Sequence, residues 1–308
     1  MDMTLVNHNL AFACQRVISR FGTKGTLGGA AFNKVMTLLN RRLLGERSDQ
    51  RVDLNLPHCW YLFGDEVVPR ELPPQVRFEP KDDLIARTTF SWYDGTDEPL
   101  LVPEWLTRRI MTELDRIEEE FGNPIDLEEV VDEVYSEAPF KFQESFLDLR
   151  RSLRTATKRT EIIVRNAGEG LVKPRFERAI ILFPESDFPR LKSITRQYQR
   201  LMRYSLAGGD PGVGYADRFT TEYWQVFCYF LRIHERGHFN VSQARLDYWG
   251  RVASEYLSAS GPKMNAIAEE MIGTLDSSID PLDRACLIGA DWGKGSERTS
   301  IEVHSLVY

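Results

Sequence analysis

His234, Glu235 and His238 stand in the order H-E-x-x-H within FLRIHERGHFN. On a helix that spacing sets two imidazoles on one face to hold a zinc ion, while the glutamate polarises the metal-bound water. Counted at about 100° per residue, all three fall on the side of Phe227, Cys228 and Leu231, the apolar side that would face a buried metal. Glu235 would then be the catalytic base and Glu269 the best third ligand, with Glu270 and Glu255 behind it. The neighbours speak against this reading. Arg236 follows the glutamate where a helix buried on both sides wants a large apolar residue, and Arg232 is equally out of place. Gly237 reads as a helix C-terminal signal, Ser242 as the N-cap of a new helix, and both helical wheel positions of Glu269 and Glu270 lie off their own apolar face.

The same stretch permits two other readings. TEYWQVFCYFLRIHERGHFNVSQARLDYWGRV resembles a helix–turn–helix pair of the kind that reads DNA, although many core helix pairs look alike. Arg232 and His238 also have the separation used by a helical type of RNase, yet on a continuous helix they do not share a face. The chain has no GxxxxGK[ST] and no GxSxG; GGDPGVG (208–214) lacks the preceding strand and the lysine that a phosphate loop needs.

Charge carries the stronger signal. Residues 104–148 hold 14 acidic and 4 basic residues, and residues 150–203 hold 14 basic and 5 acidic, so net −10 is followed by net +9. Lys192, Arg196, Arg200 and Arg203 recur at four, four and three, which makes one stripe beside an apolar face of Leu191, Ile194, Tyr198 and Leu201. Arg150, Arg151, Arg154 and Lys158 form a second cluster of similar spacing. Such cations neutralise phosphates, arginine with bidentate geometry, and Tyr198 and Tyr204 would be placed to stack on bases. The alternative is that the acidic and basic helices pair with each other or are simply solvated.

LNLPHCWYLFGDEVVPRELP (54–73) concentrates His58, Cys59, Asp65 and Glu66 among aromatics. None of these has a third partner at ligand spacing. The stretch reads as a short strand or corner capping a helix over 30–44, with Gly64 giving the turn and Pro69 and Pro73 ending regular structure. That helix, with its early Lys34, followed by Trp60, Tyr61 and Gly64, resembles small prokaryotic helical or winged-helix-like modules associated with toxin–antitoxin and defence genes. The resemblance covers residues 30–73 and implies an interaction or regulatory module without a catalytic residue.

The elements behind these features are mostly helical. Periodicity predicts helices over 30–44, from 104 to an end at Gly122, from an N-cap at Asp126, through 141–167, 189–207, 221–238 and 242–257, and over 263–275. A short strand is expected near Thr88 to Tyr93. The fold class is therefore mainly α, with a small winged-helix-like N-terminal domain (1–75), an irregular connection (76–103), a larger helical domain (104–290) and a polar tail (291–308). At 308 residues and net charge −7, the chain has no apolar run long enough for a membrane helix. Four scattered cysteines without a CxxC pair point to reduced thiols and a cytoplasmic setting. The expected function is non-enzymatic binding of a macromolecule, either nucleic acid or an acidic protein. Homo-oligomerisation is left open, no cofactor is required, and zinc enters only if HERGH is used.

Overall fold

The computed structural model describes residues 7–45, 51–79, 88–93, 95, 99–158 and 168–275. They form two compact units. The first comprises residues up to Ala138 together with Leu231–Trp249, and the second comprises Pro139–Phe230 and the chain from Gly250 onward. The mainly helical class with a small α+β N-terminal part is what the sequence leads one to expect. Among the described residues no helix is long and apolar enough to cross a membrane.

The first unit is built from α1 (His8–Phe21), β1 (Thr26–Gly28), α2 (Gly29–Leu44), β2 (His58–Tyr61), β3 (Gly64–Val67), β4 (Val76–Glu79), β5 (Thr89–Trp92), α3 (Glu104–Phe121) and α4 (Leu127–Ser136), with β6 (His238–Phe239) contributed from far along the chain. Two antiparallel three-stranded sheets result, of order β1-β5-β4 and β3-β2-β6. The domain boundary expected at residue 75 is corrected by this pairing. β1 finds its ladder partner in β5, with Leu27 opposite Phe90, and Ile110, Leu114, Ile117 and Val130 of α3 and α4 join the core of α1 and α2. Within 76–103 the strand expected near Thr88 to Tyr93 forms as β5, and β4, which was not expected, pairs with it.

Local signals set the helix ends. The Asn7 side chain accepts the Leu10 N–H and opens α1. Asp126 accepts the N–H groups of Glu128 and Glu129 and opens α4, as expected of an N-cap. Gly122, at φ 78°, closes α3.

The second unit contains α5 (Lys141–Lys158), α6 (Lys173–Ile181), α7 (Lys192–Ala207) and most of α8 (Asp210–Leu231) and α9 (Gln243–Leu275). Its core is aromatic: Phe146 stacks on Trp224 at 4.9 Å, Tyr198 on Tyr223 at 4.3 Å, and Phe142 meets Phe227 edge-on. The separate helix expected over 263–275 is the second half of α9, which passes through Pro262 unbroken. One missing N–H is tolerated where packing holds the helix, and Met264, Met271 and Ile272 are buried beyond it. The expected helical stretch over 159–167, Cys286 and the tail at 291–308 lie outside the described residues.

Candidate functional site: a buried ionic cluster and an exposed arginine row

The helix expected through HERGH ends at Leu231, three residues before the motif. Residues 232–237 form tight turns closed by His234 N–H to Leu231 O (3.0 Å) and Gly237 N–H to His234 O (2.7 Å). His238 then enters β6 opposite Cys59. The helical spacing that would set the two imidazoles on one face is therefore absent. His234 accepts the Arg236 N–H through Nδ1, and Glu235 is exposed. Burial and the nearby His234 lower the His238 pKa. Glu269 lies exposed on α9 in the other unit. Among the described residues no group of three or more His, Cys, Asp or Glu side chains is placed to hold a metal. The helix–turn–helix reading meets the same correction, since what separates α8 from α9 is a strand paired into a sheet.

Gly237 has a structural reason of its own. A Cβ there would lie 1.8 Å from the Leu231 carbonyl oxygen, while its own carbonyl accepts the Trp60 N–H at 2.8 Å. Gly237→Ala is expected to destabilise the first unit by about 1–3 kcal/mol through backbone overlap, read by urea unfolding; an unchanged midpoint would refute the close approach.

The stretch 54–73 forms a hairpin, β2 and β3, turned at Leu62-Phe63 with Gly64 at φ 96°. Its register places His58, Trp60, Asp65 and Val67 on one face. No third His, Cys, Asp or Glu joins His58 and Asp65 at metal-holding distance among the described residues, but the two meet each other and a helix. His58 Nδ1 lies 2.6 Å from Asp65 Oδ1, and Arg41 of α2 donates to Asp65 Oδ2 at 2.7 Å. Arg41 also donates to the Val134 carbonyl and lies over the Trp60 ring, which meets Tyr135 edge-on. Phe239 stacks on the His58 ring at 4.7 Å. Lys34, 2 % exposed, donates to the Asp65 carbonyl at 3.0 Å. Gly64 must lack a side chain, because a Cβ would come within 3.0 Å of Lys34 Nζ and 2.9 Å of the Tyr135 ring.

Glu66 points from the opposite face of the hairpin, beside Cys59. It is 2 % exposed; Oε1 accepts the Phe63 N–H, and Oε2 has no hydrogen-bond partner. Burial pushes its carboxyl up to about 7, against the opposing pull of Lys34. Burial likewise lowers the Lys34 amine to about 8, although Glu66 and Asp65 favour its charged form. At Asp65 burial is outweighed by His58 and Arg41, which together hold the carboxyl at about 2. An Asp on His Nδ1 is how a base is oriented in nucleophilic catalysis; the Arg41 grip on Asp65 is an addition of this chain. Here no hydroxyl or thiol is hydrogen-bonded to His58 among the described residues, and Cys59 is buried, which raises its thiol pKa. As placed, the cluster fixes charges between α2, the hairpin and α4.

The cationic row on α7 is a different kind of feature. Lys192, Arg196, Arg200 and Arg203 are all exposed, whereas Ile194, Tyr198, Leu201, Met202 and Ser205 on the other side are buried. Lys192 pairs with Glu185 at 2.6 Å, and among the described residues Arg196 and Arg203 form no ion pair. The expected stacking role of Tyr198 is corrected: its ring is 0 % exposed and its hydroxyl is bonded to Thr220. Tyr204 is half-buried, with its hydroxyl inside. In the α5 cluster Arg154 is exposed, Arg150 lies over Trp224, Arg151 is half-buried, and the Lys158 side chain is outside the described residues. The acidic helices α3 and α4 have partners inside their own unit: Arg20 pairs with Asp115 and Glu118, Arg42 with Glu120, and Arg41 with Glu137.

No family model, curated protein or solved structure matches the chain.

Proposed function

We propose that this chain is a non-enzymatic macromolecule-binding protein that engages nucleic acid through the cationic row of α7. The observation carrying the reading is that four cations at one-turn spacing are all exposed on a helix whose opposite side is sealed in an aromatic core. A solvated helix face ordinarily mixes signs, but the exposed residues of this one are four cations, Ser193 and Ala207. The positive excess is local to the stretch around the row: residues 139–230 hold 16 basic and 10 acidic residues, against 5 basic and 9 acidic over 250–307 and 15 basic and 25 acidic over 1–138. The regulatory or defence-associated role implied by the resemblance over 30–73 belongs to the same proposal. There Lys34 and Gly64 meet inside the fold, which supports a packing role for that corner and leaves binding to the second unit.

The test is fluorescence anisotropy with labelled DNA and RNA oligonucleotides across a salt series. Wild-type protein should bind with an affinity that falls as salt rises. Arg196→Glu/Arg200→Glu/Arg203→Glu, with an unchanged circular dichroism spectrum, should abolish binding. Absence of salt-sensitive binding by the unmutated protein to any of these probes sinks the reading.

A further inference from the structure

We infer that the α7 row takes a duplex, gripping its phosphate backbone without reading the bases; this rests on the nucleic-acid reading above and names its substrate form. Proteins that hold single strands combine a cationic groove with aromatic rings on which successive bases stack, and stacking supplies much of the affinity. The second unit withholds those rings. Tyr198 lies in α7 itself, yet its ring is stacked on Tyr223 at an interplanar angle of 1° and its hydroxyl is bonded to Thr220. Phe146, Phe176, Trp224 and Phe227 are buried, and among the described residues of this unit no aromatic side chain is exposed. The rings that do reach the surface, Phe183, Tyr204, Tyr215, Tyr229 and Tyr256, are all half-buried, so among the described residues none of this unit stands out as an open platform for an unstacked base.

What the surface does offer is a straight row of charge. Lys192 to Arg203 spans about 16 Å of helix at one cation per turn. That length faces about five phosphates of one strand of a duplex at about 3.4 Å of axis each. A duplex holds its phosphates in fixed register, so a rigid row can meet several at once. A flexible single strand must first be ordered, and lacks the stacking that would offset that cost. The exposed face of α7 also carries neither Asn nor Gln; Gln197 is buried, bonded to Asn265, and Gln199 is half-buried. The bidentate adenine contact of a base-reading helix is therefore missing, and the one base contact the row could make, arginine to guanine, is tested by giving the two probe duplexes different guanine content.

The experiment compares three probes by anisotropy across a salt series: two 20-base-pair DNA duplexes of unrelated sequence and different guanine content, and one unstructured single strand of the same length. Expected are equal affinities for the two duplexes within about twofold, weaker binding of the single strand, and a slope of log K against log salt near −3 that falls by about one for each of Arg196→Ala, Arg200→Ala and Arg203→Ala. Charge-matched controls in the first unit, Lys24→Ala and Arg108→Ala, should each keep the slope. Tighter binding of the single strand, or a preference above tenfold for one duplex, overturns this inference while nucleic-acid binding stands. Failure of all three probes to bind overturns both.

Discussion

Replacing Asp65 by alanine is expected to lower the free energy of unfolding by about 3–5 kcal/mol, because breaking a buried ion pair from one side leaves the other charges uncompensated. The carboxylate is 0 % exposed and serves two partners, His58 at 2.6 Å and Arg41 at 2.7 Å. The His58 ring is buried under Phe239, whereas Arg41, held over Trp60 and to the Val134 carbonyl, is half-buried and keeps Glu137 as a second partner, so most of the loss falls on the His58 side and on the vacated volume. Asp65→Asn keeps the volume but not the charge, so it should recover only the part of the loss due to volume. Arg41→Met/Asp65→Ala removes charge from both sides. It should be destabilised by clearly less than the sum of the single changes, the mark of a coupled pair. Urea unfolding followed by far-UV circular dichroism measures all four. A loss below about 1 kcal/mol for Asp65→Ala would show that the cluster is solvated after all. The depressed Asp65 pKa adds a sign: stability from this group is present above its ordinary value near 3.8 and is lost as pH falls toward 2.

What the sequence made legible was what depends on near neighbours. Asp126 and Gly122 mark helix ends by chemistry that acts within one turn, and the buried side of α7 follows from spacing alone. The ionic cluster was hidden for two reasons. His58 and Asp65 meet diagonally across a two-residue turn, so their contact depends on hairpin register. Their third partner, Arg41, comes from a helix that looks amphipathic yet is buried nearly all round, with Asn33, Lys34, Thr37 and Asn40 inside along with its apolar residues. A usable clue was present: polar residues repeating at helical spacing in α2, followed by adjacent acids in a strand-like run. HERGH misled in the opposite way. Its period has meaning only on a helix, and the close approach of Gly237 to the Leu231 carbonyl forms where that helix has already stopped. The domain boundary failed because β5 and β6 lie 60 and more residues from where their partners begin, and no local pattern announces a strand's partner.

Glu66 and Lys34 should together contribute an inverted component to the pH profile of stability, least favourable between about pH 7 and 8. The signs follow from linkage. Glu66 titrates near 7 in the fold against 4.5 ordinarily, so the folded chain holds the extra proton between those values and stability falls as pH rises through them. Lys34 titrates near 8 against 10.5, so there the unfolded chain holds the extra proton and stability rises with pH. Each full swing is on the order of 3 kcal/mol. Burial acts first on both; after it come Lys34, the Phe63 N–H, Asp65 and Arg232 for Glu66, and Glu66, Asp65 and Arg41 for Lys34. Glu66→Gln retains an acceptor for the Phe63 N–H while removing the titration, so it should flatten the profile between pH 4.5 and 7 and raise stability at pH 7. Lys34→Met fills the same space without charge and should flatten the upper limb. The surface carboxylates with depressed pKa values, Glu118, Glu185 and Glu270, act below 4.5, but the lowered His238 opposes the Glu66 limb below 6.5 and the raised Cys14 and Cys59 thiols oppose the Lys34 limb above 9, so each limb is read as the difference between wild type and its variant. Urea midpoints taken from pH 5 to 10 decide the matter. An unchanged lower limb in Glu66→Gln would mean that the buried carboxyl is paired and charged throughout, and that its unpartnered Oε2 reaches water.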